Sequence, residues 1–300
     1  MQVLHIDTGK EMRGGQYQVL LLLNGLRERG HESVLLARQH APLWRAAKSA
    51  GYRVAPASAA AIWSWSRGSA IVHAHDARGH TLAALASRKR FVVSRRVAFP
   101  VKRTFLSHLK YGRAAGYLAV SEYVANELRK AHVPPQRIHV VYDGVAPTPT
   151  AENWDPGLPI VALQSADPGK LGALAKGAAE LADVEIQFST DLPESLRRAS
   201  AFLYLSDVEG LGSAALLAMS MGVPVIASKV GGLAEVFVHG SSGLYVSNNA
   251  GEIATAIRAL RGDRELALRL REGGMARATE LFSAEKMVSD TLRVYEGALG

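Results

Sequence analysis

Residues 209–232, EGLGSAALLAMSMGVPVIASKVGG, decide how the rest of the chain is read. Gly210 and Gly212 sit where a loop becomes an apolar helix, and Gly222 closes that helix before the β-type run VPVIAS. A helix entered through Gly212, Ser213 and Ala214 leaves its first backbone N–H groups without partners, and its dipole adds partial positive charge there. Such an end is a ready seat for a diphosphate or a sugar oxygen, and glycine lets the ligand come close. Glu209 stands just before the turn. It either accepts hydrogen bonds from ligand hydroxyls or acts as a partner of the helix N-terminus.

Outward from this stretch, β-type runs alternate with helical patterns. QVLHID (2–7), ESVLLA (32–37), AIVHAHDA (70–77), RFVVSRRV and YLAVS read as strands. Residues 14–30, 42–51 and 101–116 read as helices, the last of them basic. The turn-rich segment 146–159 reads as a linker. The alternation then restarts, with LAEVFVHG among its expected helices, and two helical stretches close the chain. The pattern predicts an α/β protein with parallel sheets covered on both faces, and ligands beyond the carboxyl ends of the strands. Residues 1–147 form the expected first domain, 148–282 the second, and 283–300 a closing helix.

The bulk numbers agree with two globular domains: 300 residues, 48% hydrophobic and 21% charged. Cysteine is absent, which excludes disulfides and thiolate metal sites. No secretory leader or spanning segment is read, so a cytoplasmic protein is expected, peripheral on the inner face of the membrane at most. Charge is split unevenly. Residues 1–150 carry 22 Lys+Arg against 8 Asp+Glu, and residues 151–300 carry 13 against 19. The basic half suits an anionic membrane or a phosphorylated acceptor; the alternative is an arginine-rich solvated surface. Nucleic acid is not expected, because no recognition motif accompanies the charge.

The 209–243 segment resembles the donor-binding signature of the retaining GT-B glycosyltransferases of family GT4. Glu209, Gly210, Gly212, Gly222, Pro224, Val225, Gly231, Gly232, Glu235 and Gly243 match its pattern. The first half, with RGGQYQVLLLLNGLRERGHE and IVHAHDA, resembles the family's acceptor domain. The resemblance implies two Rossmann-like doubly wound domains facing a cleft, the acceptor on the first and a nucleoside-diphosphate sugar on the second. It also implies that the last helix packs back on the first domain. Glu209 would meet the transferred sugar, and Gly210, Leu211, Gly212, Ser213 and Ala214 would bind the donor.

Two departures stand out. The family's second Glu, which holds the ribose, falls at Leu217. Lys170 aligns with the diphosphate lysine, but its arginine partner is missing, a loss of about 1–3 kcal/mol in charge-assisted hydrogen bonds. Between Lys170 and Glu209 the chain is also short, as if one strand–helix unit were absent.

In the first half, Gly14, Gly15 and Gln16 open a long helix and resemble the glycine loop that closes on the diphosphate; a plain turn is the alternative. His73 and His75 share one face of a strand by period two, with Asp76 at its end. By resemblance His75 lies near the transferred sugar, with Asp76 as an acceptor contact; a core histidine is the alternative. No metal is expected, since two histidines are half a site and no Asp-x-Asp is present. Arg95, Arg96, Lys102, Arg103 and Lys110 interleave with Phe99, Phe105, Leu106, Leu109 and Tyr111, a pattern for an anionic acceptor or membrane, or for an ordinary amphipathic helix.

The expected activity is metal-independent, retaining transfer of a hexose-type sugar from a nucleotide sugar to a glycan or glycolipid of the bacterial cell envelope. No cofactor is expected beyond the nucleotide sugar as co-substrate. A non-catalytic relative that binds nucleotide, sugar or a partner, and a nucleotide-sugar epimerase or hydrolase, remain as alternatives.

Overall fold

The computed structural model describes residues 1–101, 104–163 and 170–300, with Lys170 described by its backbone alone. Lys102, Arg103 and the side chain of Lys170 therefore lie outside the described residues. The chain divides into two compact units, Met1–Gly144 together with Ala284–Gly300, and Val145–Ser283.

The first unit runs β1 (Gln2–Asp7), α1 (Gly14–Glu28), β2 (Glu32–Ala37), α2 (Pro42–Ser49), β3 (Arg53–Pro56), α3 (Ala59–Trp65), β4 (Ile71–Ala74), α4 (Ala77–Ala86), β5 (Phe91–Arg95), α5 (Phe105–Gly112), β6 (Gly116–Ala119), α6 (Glu122–Lys130) and β7 (Ile138–Val140). Its strands form one parallel sheet in the order β3-β2-β1-β4-β5-β6-β7. Val3, Leu4, Ile6, Ile71 and Val72 are fully buried, as expected of strands covered on both faces. Ser58, Asp76, Thr104 and Ser121 each accept a backbone N–H at the start of α3, α4, α5 and α6, which fixes where those helices begin.

The second unit runs β8 (Ile160–Leu163), α7 (Lys170–Ala182), β9 (Ile186–Ser189), α8 (Leu192–Leu196), β10 (Ala201–Tyr204), α9 (Ser213–Ser220), β11 (Val225–Ser228), β12 (Leu244–Val246), α10 (Ala250–Gly262) and α11 (Arg264–Leu281). Its parallel sheet has the order β12-β11-β10-β8-β9. The turn-rich segment packs into this unit: Trp154 is buried and its indole N–H donates to Ser200 O at 2.9 Å. The last helix, α12 (Ala284–Leu299), belongs to the first unit. It buries Met287, Val288, Val294 and Tyr295 in a cluster with Leu22, Leu26 and Ile71. Gly25 makes room for it, since a Cβ there would stand 2.5 Å from Val288 Cγ2.

Three elements differ from the sequence reading. Helix α3 is not read from AAAIWSW. The basic helix spans eight residues rather than sixteen, starting only after the Thr104 cap. LAEVFVHG gives no α-helix beyond a 3₁₀ turn at Gly231–Glu235. Its carbonyls go to side chains instead: Tyr245 Oη bonds Leu233 O and Phe237 O, and Arg277 takes Glu235 O and Val236 O.

Each sheet reverses its winding once. In the first unit the chain leaves β1 toward β2 on one side and returns at β4 on the other. In the second unit the reversal lies between β8 and β10. Such switch points leave a crevice at the carboxyl ends of the two strands, where ligands bind in open α/β sheets.

Candidate functional site

At the switch point of the second unit, β10 ends at Tyr204 and leads to Glu209 five residues on. Tyr204 Oη donates to Glu209 Oε2 at 2.6 Å, and the Gly210 N–H donates to Oε1 at 3.0 Å. The backbone of Glu209 is held as firmly. The Gly232 N–H donates to its carbonyl at 2.9 Å, and a Cβ on Gly231 would stand 2.3 Å from that oxygen. Gly231 has φ +50 and Gly212 φ +106, left-handed values that favour glycine. A side chain at Gly212 would also meet Leu233 at 2.8 Å. The two glycines thus let the loop fold under Glu209 and turn into α9 at Ser213 and Ala214, whose N–H groups open the helix. Leu211 is buried beneath, and Leu217 lies half-buried one turn along α9.

Beside this loop lies a cavity of about 410 Å³. It is bounded by the ends of β8 and β10 (Leu163, Tyr204, Leu205), by Phe188 of β9 and by Leu171 and Lys176 of α7. The lining is mainly apolar, with Lys176 Nζ 6.0 Å from the Phe188 ring centroid. A flat, partly charged ligand suits such a site. The sequence reading missed Tyr204, Phe188 and Lys176. The signal for Tyr204 was an aromatic residue at the end of the apolar run AFLYL, just ahead of the Glu209 turn. Burial, reinforced by Glu209, raises the Tyr204 phenol well above its usual range, so it stays a donor at neutral pH.

The switch point of the first unit collects Asp7, Thr8, Gly14, Gly15, Gln16, His75 and Asp76. Asp76 accepts from Thr8 N (2.8 Å), Thr8 Oγ1 (2.5 Å) and Gly79 N (2.5 Å), so its carboxylate ties the loop after β1 to the start of α4. Gln16 donates to Asp7 (3.1 Å to Oδ2) and accepts from Arg13 N–H (3.2 Å), which fixes the first turn of α1. Burial and the neighbouring Asp76 raise the Asp7 carboxyl, against the Gly9 N–H, Gln16 and Arg96.

His5 on β1 joins the histidine pair, because strand register places it beside His73. The sequence reading missed it; its signal was the HID run at the end of β1. His5 Nδ1 and His75 Nε2 are 3.0 Å apart, and His73 bonds Tyr295 Oη (2.6 Å) and Ser94 Oγ (2.8 Å). The three rings offer ligand atoms within 4.8 Å of one another, a spacing a metal ion could use. Both nitrogens of His73 are engaged, however, so the cluster reads as a hydrogen-bonded network with one open position. That position is His75 Nδ1, buried without a partner. Burial, then the neighbouring rings and Arg96, holds His73 and His75 well below the usual histidine range.

Of the basic residues singled out in the sequence, the described three, Arg95, Arg96 and Lys110, turn inward. Arg96 pairs with buried Asp143 at 2.8 Å and reaches past Gly15, where a Cβ would stand 3.8 Å from its Cδ. Arg95 donates to Tyr111 Oη and to Phe99 O. Lys110 Nζ donates to Ala77 O at 2.9 Å. Thus His75, Asp76, Gly14, Gly15, Gln16 and Arg96 gather in one unit, and Glu209 to Leu217 in the other.

Residues 12–148 match the domain described as Glycosyltransferase Family 4, and residues 173–277 match Glycosyl transferases group 1. Among curated proteins, N-acetyl-alpha-D-glucosaminyl L-malate synthase of Bacillus anthracis is 35% identical over 111 residues, 36% of this chain and 29% of that protein. O-antigen chain mannosyltransferase B of Escherichia coli is 37% identical over 110 residues, 35% of this chain and 27% of that protein. These matches span under a third of the relatives' length. Among solved structures, HepE of Anabaena, in complex with UDP and glucose, superposes with a TM-score of 0.83 at 15% identity over 98% of each chain. A glycosyltransferase from Rickettsia africae superposes with a TM-score of 0.82 at 16% identity, over 99% of this chain and 98% of that one. Both likenesses identify the GT-B fold.

Proposed function

Since the chain belongs to the group 1 glycosyltransferases of family 4, we propose that it transfers a hexose-type sugar from a nucleoside diphosphate to a hydroxyl acceptor, with retention at the anomeric carbon and without a metal. The observation that carries this reading is the held Glu209 beside the cavity at the β8/β10 switch point. Glu209 has both carboxylate oxygens set by donors, which leaves lone pairs in fixed directions for sugar hydroxyls. The N–H groups of Ser213 and Ala214 take diphosphate oxygens, and Lys170 at the head of α7 supplies the cation. The base stacks in the apolar cavity by Phe188. In the first unit, His75, neutral through burial, offers Nδ1 to a sugar hydroxyl, and Gly14, Gly15 and Gln16 offer backbone groups to a diphosphate.

UDP is the first nucleotide to try, because HepE is solved with UDP-glucose. A glycan or glycolipid of the cell envelope is the proposed acceptor. The Escherichia coli relative named for O-antigen chains supports that class. Leu217, half-buried where a ribose-holding carboxylate is expected, favours a second reading, a relative that binds nucleotide without turnover. Calorimetric titration of UDP, GDP and ADP, repeated with Lys170→Ala and followed by donor-consumption assays, tests both. Micromolar binding of one nucleotide that weakens at least tenfold in the variant, together with sugar transfer, supports the transferase. Binding with no turnover supports the second reading, and no binding of any nucleotide refutes both.

A further inference from the structure

Helix α5 is built the wrong way round for a helix of a protein core. At about 100° per residue, Phe105, Leu106, Leu109 and Arg113 share one arc, and an arc of that width normally faces the interior. Here it faces solvent: Phe105 and Leu106 are each 76% exposed and Leu109 50%, and no residue of the helix is buried. The inner side is the polar one. Lys110 donates to Ala77 O, and Tyr111 stacks on Tyr117 and meets His80 edge-on. The helix is thus held to its unit by polar and aromatic contacts that leave the aliphatic side free. The segment before it continues the apolar surface, with Val97 47% and Phe99 65% exposed.

The segment that carries the arc has charge of one sign. From residue 77 to residue 121 the chain carries ten Lys+Arg and no Asp or Glu. Arg113, on the arc itself, is exposed, as is Arg78, next to the Ala77 carbonyl that holds Lys110. An acid-free run of that length sets an attractive field for anionic headgroups, and an exposed Phe–Leu–Leu arc inserts at the headgroup–acyl boundary.

We infer that α5 is a docking element for an anionic lipid bilayer, with Phe105, Leu106 and Leu109 inserting and Arg78 and Arg113 meeting the headgroups. The inference does not rest on sugar transfer, because vesicle binding is read without turnover. No described helix is long and apolar enough to cross a membrane, so the contact is peripheral.

The test is co-sedimentation of the full chain with vesicles of pure phosphatidylcholine, and with vesicles containing about 30% phosphatidylglycerol, at low and at roughly 0.5 M salt. The expected result is at least tenfold tighter binding to the anionic vesicles at low salt, lost at high salt. The triple variant Phe105→Ser, Leu106→Ser, Leu109→Ser should bind at least tenfold more weakly with an unchanged melting temperature, since its side chains support no core. As a second readout, Leu106→Trp should shift its emission to the blue on anionic vesicles and be quenched by brominated lipid. Equal binding to both vesicle types, undiminished binding by the triple variant, or an unquenched Trp at position 106 overturns the inference. So does a dimer that the triple variant dissolves, because the arc would then be covered by a second copy of the chain.

Discussion

Lowering the pH should unfold the first unit before the second. His5, His73, His75 and His80 are all buried there, and burial is the largest cause that lowers each of them. His5 and His80 are brought to about 3. A histidine depressed in the folded state is charged first in the unfolded chain. Its contribution is therefore intact above pH 6.5 and is lost as the pH falls toward 3. At pH 4.5, about two pH units below the unfolded value, a histidine held near 3 in the folded state, as His5 and His80 are, has withdrawn about 3 kcal/mol. His5 and His80 together withdraw about 5 kcal/mol, the lower edge of the roughly 5–15 kcal/mol that holds a typical domain, and His73 and His75 act in the same direction. Asp7 and Asp143 act in the opposite sense. Burial raises both, so the folded protein takes up their protons first and regains part of the loss. The sole histidine of the second unit is His239, which is exposed. Unfolding should be followed by calorimetry from pH 8 to pH 4 at constant ionic strength. The buried Trp154 reports the second unit in a chain whose Trp44, Trp63 and Trp65 are replaced by Phe. His80, packed against Phe91, Tyr111 and Tyr117, offers a control. His80→Phe should flatten the stability slope by about 1.4 kcal/mol per pH unit. A slope of less than one proton between pH 6.5 and 4.5, or parallel loss of both units, would refute the argument.

Four substitutions probe the packing. Tyr204→Phe removes a hydrogen bond to a carboxylate worth about 1.5–3 kcal/mol, so turnover should fall roughly 10- to 100-fold while nucleotide affinity, measured by calorimetry, changes less. Gly231→Ala should destabilise the protein by more than the roughly 1–2 kcal/mol of its left-handed backbone, because its Cβ strikes the Glu209 carbonyl. Gly240→Ala, at φ +77 with open space around it, should cost that backbone term alone; equal losses in urea melts would mean the Glu209 contact relaxes freely. Gly25→Leu should push α12 from α1 at a cost of about 1–3 kcal/mol, seen as a lower melting temperature and faster proteolysis of the C-terminus.

The parallel α/β architecture was legible because strands covered on both faces must be short apolar runs, and QVLHID, AFLYL and VPVIAS are such runs. Glu209 and its glycines were legible because a loop that folds under its own carboxylate admits no Cβ at Gly231. Helix α3 was hidden, since AAAIWSW buries only Ile62 and shows no period. The 3₁₀ turn was hidden because Tyr245 and Arg277, which capture its carbonyls, lie 12 and 42 residues from their first partners, Leu233 and Glu235. His5 was hidden for a related reason: only the β1–β4 register places it beside His73, with two strands between them in sequence.

The inward turn of Arg95, Arg96 and Lys110 changes what the basic half of the chain means. A charge run read along the sequence suggests a solvated face, yet Arg96 spends its charge on buried Asp143 and Lys110 on a carbonyl. Charge that is already engaged cannot also steer a distant anion at full strength. Among the described residues next to α5, Arg78 and Arg113 remain exposed for an outside partner, beside an apolar arc that is left open to solvent. The same segment therefore divides its work by side of helix. Its inner face builds the wall behind His80 and Tyr117, and its outer face is left for a surface. Neutralising Arg78 and Arg113 should accordingly weaken binding to anionic vesicles without lowering the melting temperature, whereas Arg96→Gln should lower the melting temperature by leaving Asp143 buried without its cation.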